Sequence, residues 1–564
     1  MRISKHGMCC LLIGAKLVAS VATAQAAGAV SCADISSQSL KLKNVKITKA
    51  EALPSSDKYP AHCLLQGTVN DRTGADGKHY AIDFEMRLPD DWNGRFLYQL
   101  NGGNDGEVIE ATGDPKEMNA LGGKSALSRG FSVLSSDSGH SGKDPANHDA
   151  GLAASNMFGL DEQARLDYGF AADRTMTPIA KAIIRLRYGR RPQFSYMEGC
   201  SNGGRHVMVD ASRMGDLYDG FIAGDPGIDL PRAAVQHAWD VQNLSLADPD
   251  IRKSFSRDDM ALIAAKVIEI CDALDGLADG MVDNLRACQK AFHLEELKCP
   301  GAKTPTCLTG EQVTALTRIM GGPRNAAGKQ LYSDWPYDGG MGSSNWRFWK
   351  IESGIPPWNN EPLIAIMGAG SLSYIFTSPP TKTPGTPNDL LAFLKSFDFD
   401  RDAQKIYATD GAYKVSAMGF MAPPDVDNPK LLKLRAKNHK LIVYHGQSDG
   451  VFSVNDTIRW YERLAVNSGG NASTFARLYT VPGMNHCAGG PSTDSFDMLS
   501  AMTEWVEQHK APDHIVATVS AANKEVPANW SKTRTRPLCN WPAVARYKGG
   551  DPESANSFVC EIPK

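Results

Sequence analysis

From Tyr80 the chain alternates apolar and polar side chains in YAIDFEMRLP, the period-two signature of a strand with one buried face. Short apolar runs follow in GRFLYQL (residues 94–100), GFSVLSSD (130–137), QFSYMEG (193–199), HKLIVYHG (439–446) and FARLYTVPG (475–483). Glycine or turn residues bound them, and each predicts a strand. Directly behind QFSYMEG, the stretch GGRHVMVDASRMG carries apolar residues at near-helical spacing, so the chain is expected to turn sharply from strand to helix around residue 201. Strands and helices that alternate in this way predict an α/β fold.

Residues 228–422 have a different texture. They combine helical stretches, an acidic loop, four clustered cysteines and a Trp-, Gly- and Pro-rich run, SDWPYDGGMGSSNWRFWKIESGIPPW. This reads as an insertion that divides a core into a first part, 27–227, and a second part, 423–564. A length of 564 residues accommodates one large core plus such a unit.

The opening residues read as a secretory leader over 1–26: basic Arg2 and Lys5, an apolar run from Met8 to Ala22, then small residues around Ala24 and Ala26. Lys16 interrupts that run, which is too short to span a bilayer. Losing this leader removes three basic residues and no acidic one, taking the formal charge from −3 to −6. The balance excludes a nucleic-acid or anionic-membrane partner, while the oligomeric state stays open. Twelve cysteines become ten without Cys9 and Cys10, an even number that in an exported chain reads as disulfides. Zinc would need ligand spacings such as CxxC, which do not occur. The expected location is outside the cytoplasm, secreted or periplasmic.

GCSNG, at residues 199–203, places Ser201 on the predicted strand-to-helix turn. A serine hydroxyl becomes a useful nucleophile when an imidazole takes its proton and a carboxylate orients that imidazole. Asp449 in HGQSDG and His486 in GMNHCAGG each follow a predicted strand, in the chain order Ser, Asp, His known from α/β-hydrolase folds. His140 in DSGHSG and His445 offer other bases, but polar residues in such turns more often serve local hydrogen bonding. Asp456 is an alternative orienting acid to Asp449, but at the start of the predicted helix VNDTIRWYERL it is expected to face solvent. For the oxyanion, the N–H of Asn202 follows the nucleophile, and NGGNDG (101–106) supplies a second donor at Gly103, with Gly102 the next choice. That loop meets neither phosphate-loop pattern, and no organic cofactor is expected.

With GCSNGGR, HGQSD and NHC in this order, the early NGGNDG and the cysteine-bearing insertion, the chain resembles the tannase and feruloyl esterase family of α/β-hydrolases, which includes mono(2-hydroxyethyl) terephthalate hydrolases. The resemblance implies an α/β-hydrolase core with a large inserted lid domain. It also implies disulfides Cys200–Cys487, Cys32–Cys63, Cys271–Cys288, Cys299–Cys307 and Cys539–Cys560. In the acidic stretch CDALDGLADGMVDN it implies a structural calcium ion on the carboxylates of Asp272, Asp275 and Asp279 and the carbonyls of Leu277 and Met281. The expected activity is a serine esterase for small esters of aromatic acids, of feruloyl or galloyl type. Terephthalate monoesters are the alternative, with a serine peptidase or a non-catalytic relative further off. Trp346, Phe348, Trp349 and Trp358 are candidates for an apolar pocket wall or for plain lid core. Terephthalate-monoester hydrolases of the family grip the free carboxylate with a lid arginine. None lies between Lys350 and Arg401, and Arg347 is the nearest substitute.

Overall fold

The computed structural model describes residues 29–114 and 123–563; the leader expected over 1–26 lies outside them. Nine strands form one mixed sheet: β1 (Val45–Leu53), β2 (His62–Thr73), β3 (His79–Pro89), β4 (Arg95–Leu100), β5 (Ser132–Ser136), β6 (Phe194–Cys200), β7 (Gly220–Gly224), β8 (Lys440–Gly446) and β9 (Ala476–Val481). Their order in space is β1-β2-β3-β5-β4-β6-β7-β8-β9. The first three pair antiparallel with one another and β3 with β5, whereas the six from β5 to β9 run parallel. The fold is therefore α/β, and all six runs read as strands from the sequence lie in this sheet.

Parallel strands need cover on both faces, because their crossovers put helices there. Alternation along β4 divides the core accordingly. Phe96 and Tyr98 pack with Met176 and Ile183 of the helix Ala172–Tyr188 and with Val207 and Met208 of the helix Asn202–Arg213. Leu97 points the other way, to a layer that includes Met498, Met502 and Trp505 of the helix Met498–Gln508.

Residues 225–439, between β7 and β8, add no strand to the sheet and are largely helical, with the helices Leu230–Ala247, Arg257–Cys271 and Gly310–Gly321 around a core that also includes Ala153, Phe158, Ala164 and Tyr168. That core takes in Val451 and Phe452 from the loop after β8, so the insertion and the sheet share side chains where the candidate site lies. Downstream of β9 the chain adds two small antiparallel pairs, β10 (His514–Thr518) with β11 (Thr535–Cys539) and β12 (Val544–Tyr547) with β13 (Phe558–Glu561). Five disulfides join Cys32 to Cys63, Cys200 to Cys487, Cys271 to Cys288, Cys299 to Cys307 and Cys539 to Cys560. Such a set belongs to an oxidising compartment. No helix among the described residues is long and apolar enough to cross a membrane.

Candidate active site

At the end of β6 the backbone of Ser201 takes φ 64° and ψ −125° before the helix Asn202–Arg213 begins. A side chain in that left-handed region costs energy, and the packing around it maintains the strain. The flanking glycines make the turn possible. A Cβ at position 199 would lie 2.6 Å from the Gly203 carbonyl carbon, and one at 203 would lie 2.5 Å from the Leu100 carbonyl oxygen. The turn lifts the hydroxyl off the sheet edge, where His486 Nε2 meets Ser201 Oγ at 2.7 Å.

His486 Nδ1 lies 2.7 Å from Asp449 Oδ2, while Asp449 Oδ1 accepts the N–H groups of Val451 (2.7 Å) and Phe452 (3.0 Å). Burial pushes the Asp449 carboxyl up, but the facing imidazoles of His486 and His445 outweigh it and hold the group well below the usual carboxylate range. Ser201, Asp449 and His486 thus form one hydrogen-bonded line, in which the histidine stands 285 residues from the serine and 37 from the aspartate along the chain. The Cys200–Cys487 bridge runs beside it, linking the residue before the serine to the residue after the histidine across a sequence separation of 287.

The other candidates fall elsewhere. His445 is fully buried, with Nδ1 at 2.8 Å from Thr457 Oγ1 and Nε2 at 3.3 Å from Asp449 Oδ2, so it sits behind the carboxylate. His140 holds the Asn104 carbonyl through Nε2 (2.8 Å) and stacks on Phe158; burial lowers its imidazole to about 4. Both therefore serve local hydrogen bonding. Asp456 does not face solvent: it is buried, and burial together with the charge of Asp229 pushes its carboxyl up to about 8. The reason is packing, since the first turn of the helix Val454–Asn467 abuts the insertion around Asp229, Arg232 and Tyr332, a neighbour that helical periodicity cannot reveal.

In the loop of residues 101–106, Gly103 has φ 61°, and a Cβ on Gly102 would lie 3.8 Å from the Ser201 Cβ. This loop therefore passes directly beside the nucleophile. Tyr168 donates its hydroxyl hydrogen to the Gly103 carbonyl at 3.2 Å.

Four aromatics of the insertion divide by position. Trp349 turns its ring edge-on to His486, with centroids 5.0 Å apart, and Phe452 does the same at 5.5 Å. Trp346 is buried core, Phe348 lines an open cavity of about 610 Å³ together with Ala488, Gly489 and Lys524, and Trp358 packs against Phe348. Arg347 is also buried. It pairs with Glu352 through Nε (2.8 Å) and donates to the carbonyls of Phe255 and Arg252 through Nη1 and Nη2 (2.8 and 3.3 Å).

Residues that sequence reasoning passed over also shape the site. Asp338, in the insertion, accepts hydrogen bonds from Ser448 Oγ (2.7 Å) and the Gly483 N–H (2.8 Å), and so ties the aspartate loop to the histidine loop. Trp335 donates its ring N–H to the Asp449 carbonyl at 3.1 Å. Asp225, after β7, accepts the Gly446 N–H at 2.9 Å; burial and the nearby Asp449 charge push its carboxyl well up. These contacts join segments more than a hundred residues apart, and no local spacing signals them.

The acidic loop follows the helix Arg257–Cys271, and the Cys271–Cys288 bridge brackets it. Asp272 accepts the N–H groups of Asp279 and Gly280, each at 2.8 Å, and Asp275 that of Leu277 at 3.0 Å. One oxygen of Asp279 pairs with Arg536, whereas Asp279 Oδ1 and Asp283 Oδ2 are buried without a hydrogen-bond partner. Burial and neighbouring carboxylates raise Asp275 to about 7 and Asp283 well above the usual range. Carboxylate oxygens left without a partner are the donor type a divalent cation takes, although Asp272 is engaged by backbone N–H groups and Asp279 by Arg536.

A family model described as tannase and feruloyl esterase matches residues 67–561. The mono(2-hydroxyethyl) terephthalate hydrolase of Piscinibacter sakaiensis is 42% identical over 551 residues, covering 91% of this chain and 87% of that protein. A protein of Arthroderma benhamiae named "Probable feruloyl esterase" is 31% identical over 495 residues, covering 84% and 81%. Among solved structures, the crystal structure of feruloyl esterase B from Aspergillus oryzae superposes with a TM-score of 0.71 at 22% identity, over 92% of this chain and 97% of that one.

Proposed function

This chain belongs to the tannase and feruloyl esterase family, and on that premise we propose that it is an exported serine esterase that hydrolyses esters of aromatic carboxylic acids through an acyl-enzyme on Ser201. The observation that carries the reading is the hydrogen-bonded line from Ser201 Oγ through His486 to Asp449. His486 Nε2 takes the serine proton as Oγ attacks the ester carbonyl, and the backbone N–H groups of Gly103 and Asn202 stabilise the oxyanion. His486 then returns the proton to the leaving alcohol. Water, deprotonated by the same imidazole, releases the acid. The insertion acts as a lid, and Trp349 and Phe452, at van der Waals range of the imidazole edge, flank the aryl group. Asp272, Asp275 and Asp279, with the carbonyls of Leu277 and Met281, would hold a calcium ion, which when bound neutralises their clustered charge and braces the loop.

Similarity to a terephthalate-monoester hydrolase favours a second reading, in which the substrate carries a free carboxylate. Arg347 bears on it, because its three guanidinium nitrogens are already committed to Glu352 and two carbonyls. Without a charge-assisted grip, the carboxylate-bearing ester forfeits on the order of 1.5–3 kcal/mol, roughly tenfold to more than a hundredfold in specificity. Methyl ferulate and methyl gallate are therefore expected to be turned over with higher kcat/KM than mono(2-hydroxyethyl) terephthalate. Measuring all three on one preparation tests both readings: a clear preference for the terephthalate monoester reverses the assignment, and turnover of none removes the esterase reading.

The calcium assignment carries its own expected result. A ligand that binds only the native state stabilises it by about 2.7 kcal/mol at a hundredfold excess over Kd. Excess chelator should lower Tm by several degrees and added calcium should restore it. An unchanged melting curve, with no calcium found by elemental analysis, counts against the site.

A further inference from the structure

Immediately below the loop that passes the nucleophile lies a buried charge network the reaction scheme does not use. His206, on the first turns of the helix that starts after Ser201, is 1% exposed. Its Nε2 lies 2.9 Å from Asp105 Oδ2, and its Nδ1 lies 2.6 Å from Asp173 Oδ2 on the helix Ala172–Tyr188. The same Asp105 oxygen accepts the side-chain N–H of Asn202 at 3.0 Å. Asn202 Oδ1 in turn accepts Arg205 Nε (2.9 Å) and Nη2 (2.7 Å), and Arg205 also donates to the carbonyls of Tyr168 and Gly169. Asp105 itself sits at φ 51°, a conformation it keeps only while surrounding contacts hold it.

We infer that His206 is a positioning residue for the oxyanion site: bridged between Asp105 and Asp173, it clamps the 101–106 loop to the nucleophile helix and so holds the Gly103 and Asn202 amides in register with Ser201. The inference rests on the ester-hydrolase reading above.

An imidazole whose two nitrogens both face carboxylate oxygens satisfies both only as the imidazolium, which donates twice. Burial and Arg205 push the His206 imidazole down, the carboxylates of Asp173 and Asp105 push it up, and the balance lies above the ordinary value. A doubly charge-assisted bridge is stronger and shorter than a neutral one, which suits it to holding a strained loop. The two amides concerned also have support from the loop side, where Tyr168 donates to the Gly103 carbonyl and His140 holds the Asn104 carbonyl, but neither contact reaches the nucleophile helix. The amides come from segments about a hundred residues apart, and Asp105 is the one side chain of the loop bonded to both Asn202 and His206. Pre-set donors act mainly on the transition state, because charge builds on the oxygen only there.

Wild type, His206→Phe, Asp105→Asn and the double variant, each as the full chain, are compared for kcat and KM on an aryl ester, for inhibition by phenylboronic acid and by benzoate, and for Tm. Phenylboronic acid adds to the serine as a tetrahedral adduct that uses the oxyanion donors, whereas benzoate binds without that adduct. Removing one oxyanion donor outright costs about 10²–10³ in kcat, so loosening the pair is expected to cost roughly tenfold to a hundredfold, with KM within about twofold. Phenylboronic acid should weaken by the same factor and benzoate should not. The double variant should lose no more than the worse single one, because both act through one bridge. If His206→Phe does not fold, Asp105→Asn decides by the same readouts. Folded variants with wild-type kcat and boronate affinity, or a loss that moves KM and benzoate equally, would overturn the inference. A wild type that neither cleaves aryl esters nor binds the boronate removes the ester-hydrolase premise and this inference together, which is distinguishable from failure of the variants alone.

Discussion

Ser201→Ala is expected to lower kcat on aryl esters by at least about a thousandfold while leaving the fold intact, because what remains is binding and the oxyanion donors without a nucleophile. Removing the hydroxyl also removes the hydrogen bond at 2.7 Å to His486, but the histidine keeps its contacts with Asp449, Trp349 and Phe452, so its position should hold. The strained backbone at residue 201 tolerates alanine no worse than serine, since the strain lies in φ and any Cβ meets it alike. An unchanged Tm with near-normal kcat would remove Ser201 from the reaction.

Asp449→Asn should cost about 10⁴ in kcat, for a reason that can be read from its hydrogen bonds. Asp449 Oδ1 accepts the Val451 and Phe452 N–H groups, so an asparagine at this position must keep its carbonyl oxygen there and turn its NH₂ toward His486 Nδ1. A donor at that point forces Nδ1 to be the acceptor and puts the ring proton on Nε2. The imidazole then faces Ser201 with a proton already in place and cannot take the serine's. Kinetics and Tm measured on the purified variant test this: a large loss of kcat with Tm little changed is the expected pattern, and a loss of less than about tenfold would assign Asp449 a packing role only.

How far the sequence carried the account depends on whether a feature is local. The strand ends that bear Ser201, Asp449 and His486 were legible because buried parallel strands are short apolar runs closed by turn residues. Strand β7, GFIAG, was not read as one: five residues with two glycines give no period, and its strand character comes from lying between β6 and β8. Cysteine spacing did not select among the possible pairings. The match between Cys200–Cys487 and the catalytic residues came through the family resemblance. Asp456 was misread as solvent-facing because a helical wheel shows one helix and not the insertion packed on its first turn. Arg347 appeared available in the sequence, and only its partners Glu352, Phe255 and Arg252 reveal that it is committed. The same holds for His206, whose two carboxylate partners stand 33 and 101 residues away along the chain.

The central claim is a covalent acyl-enzyme on Ser201. The direct test is to react the protein with a fluorophosphonate and with a slowly deacylated aryl ester, quench in acid, and map the adduct by peptide mass spectrometry. Reduction must come first, because the Cys200–Cys487 bridge joins the serine peptide to the histidine peptide. About one phosphonyl or acyl group per chain is expected, on the peptide containing Ser201 and absent from Ser201→Ala. Steady turnover of aryl esters by a protein that carries no adduct on that peptide, or carries it on another residue, would contradict the claim.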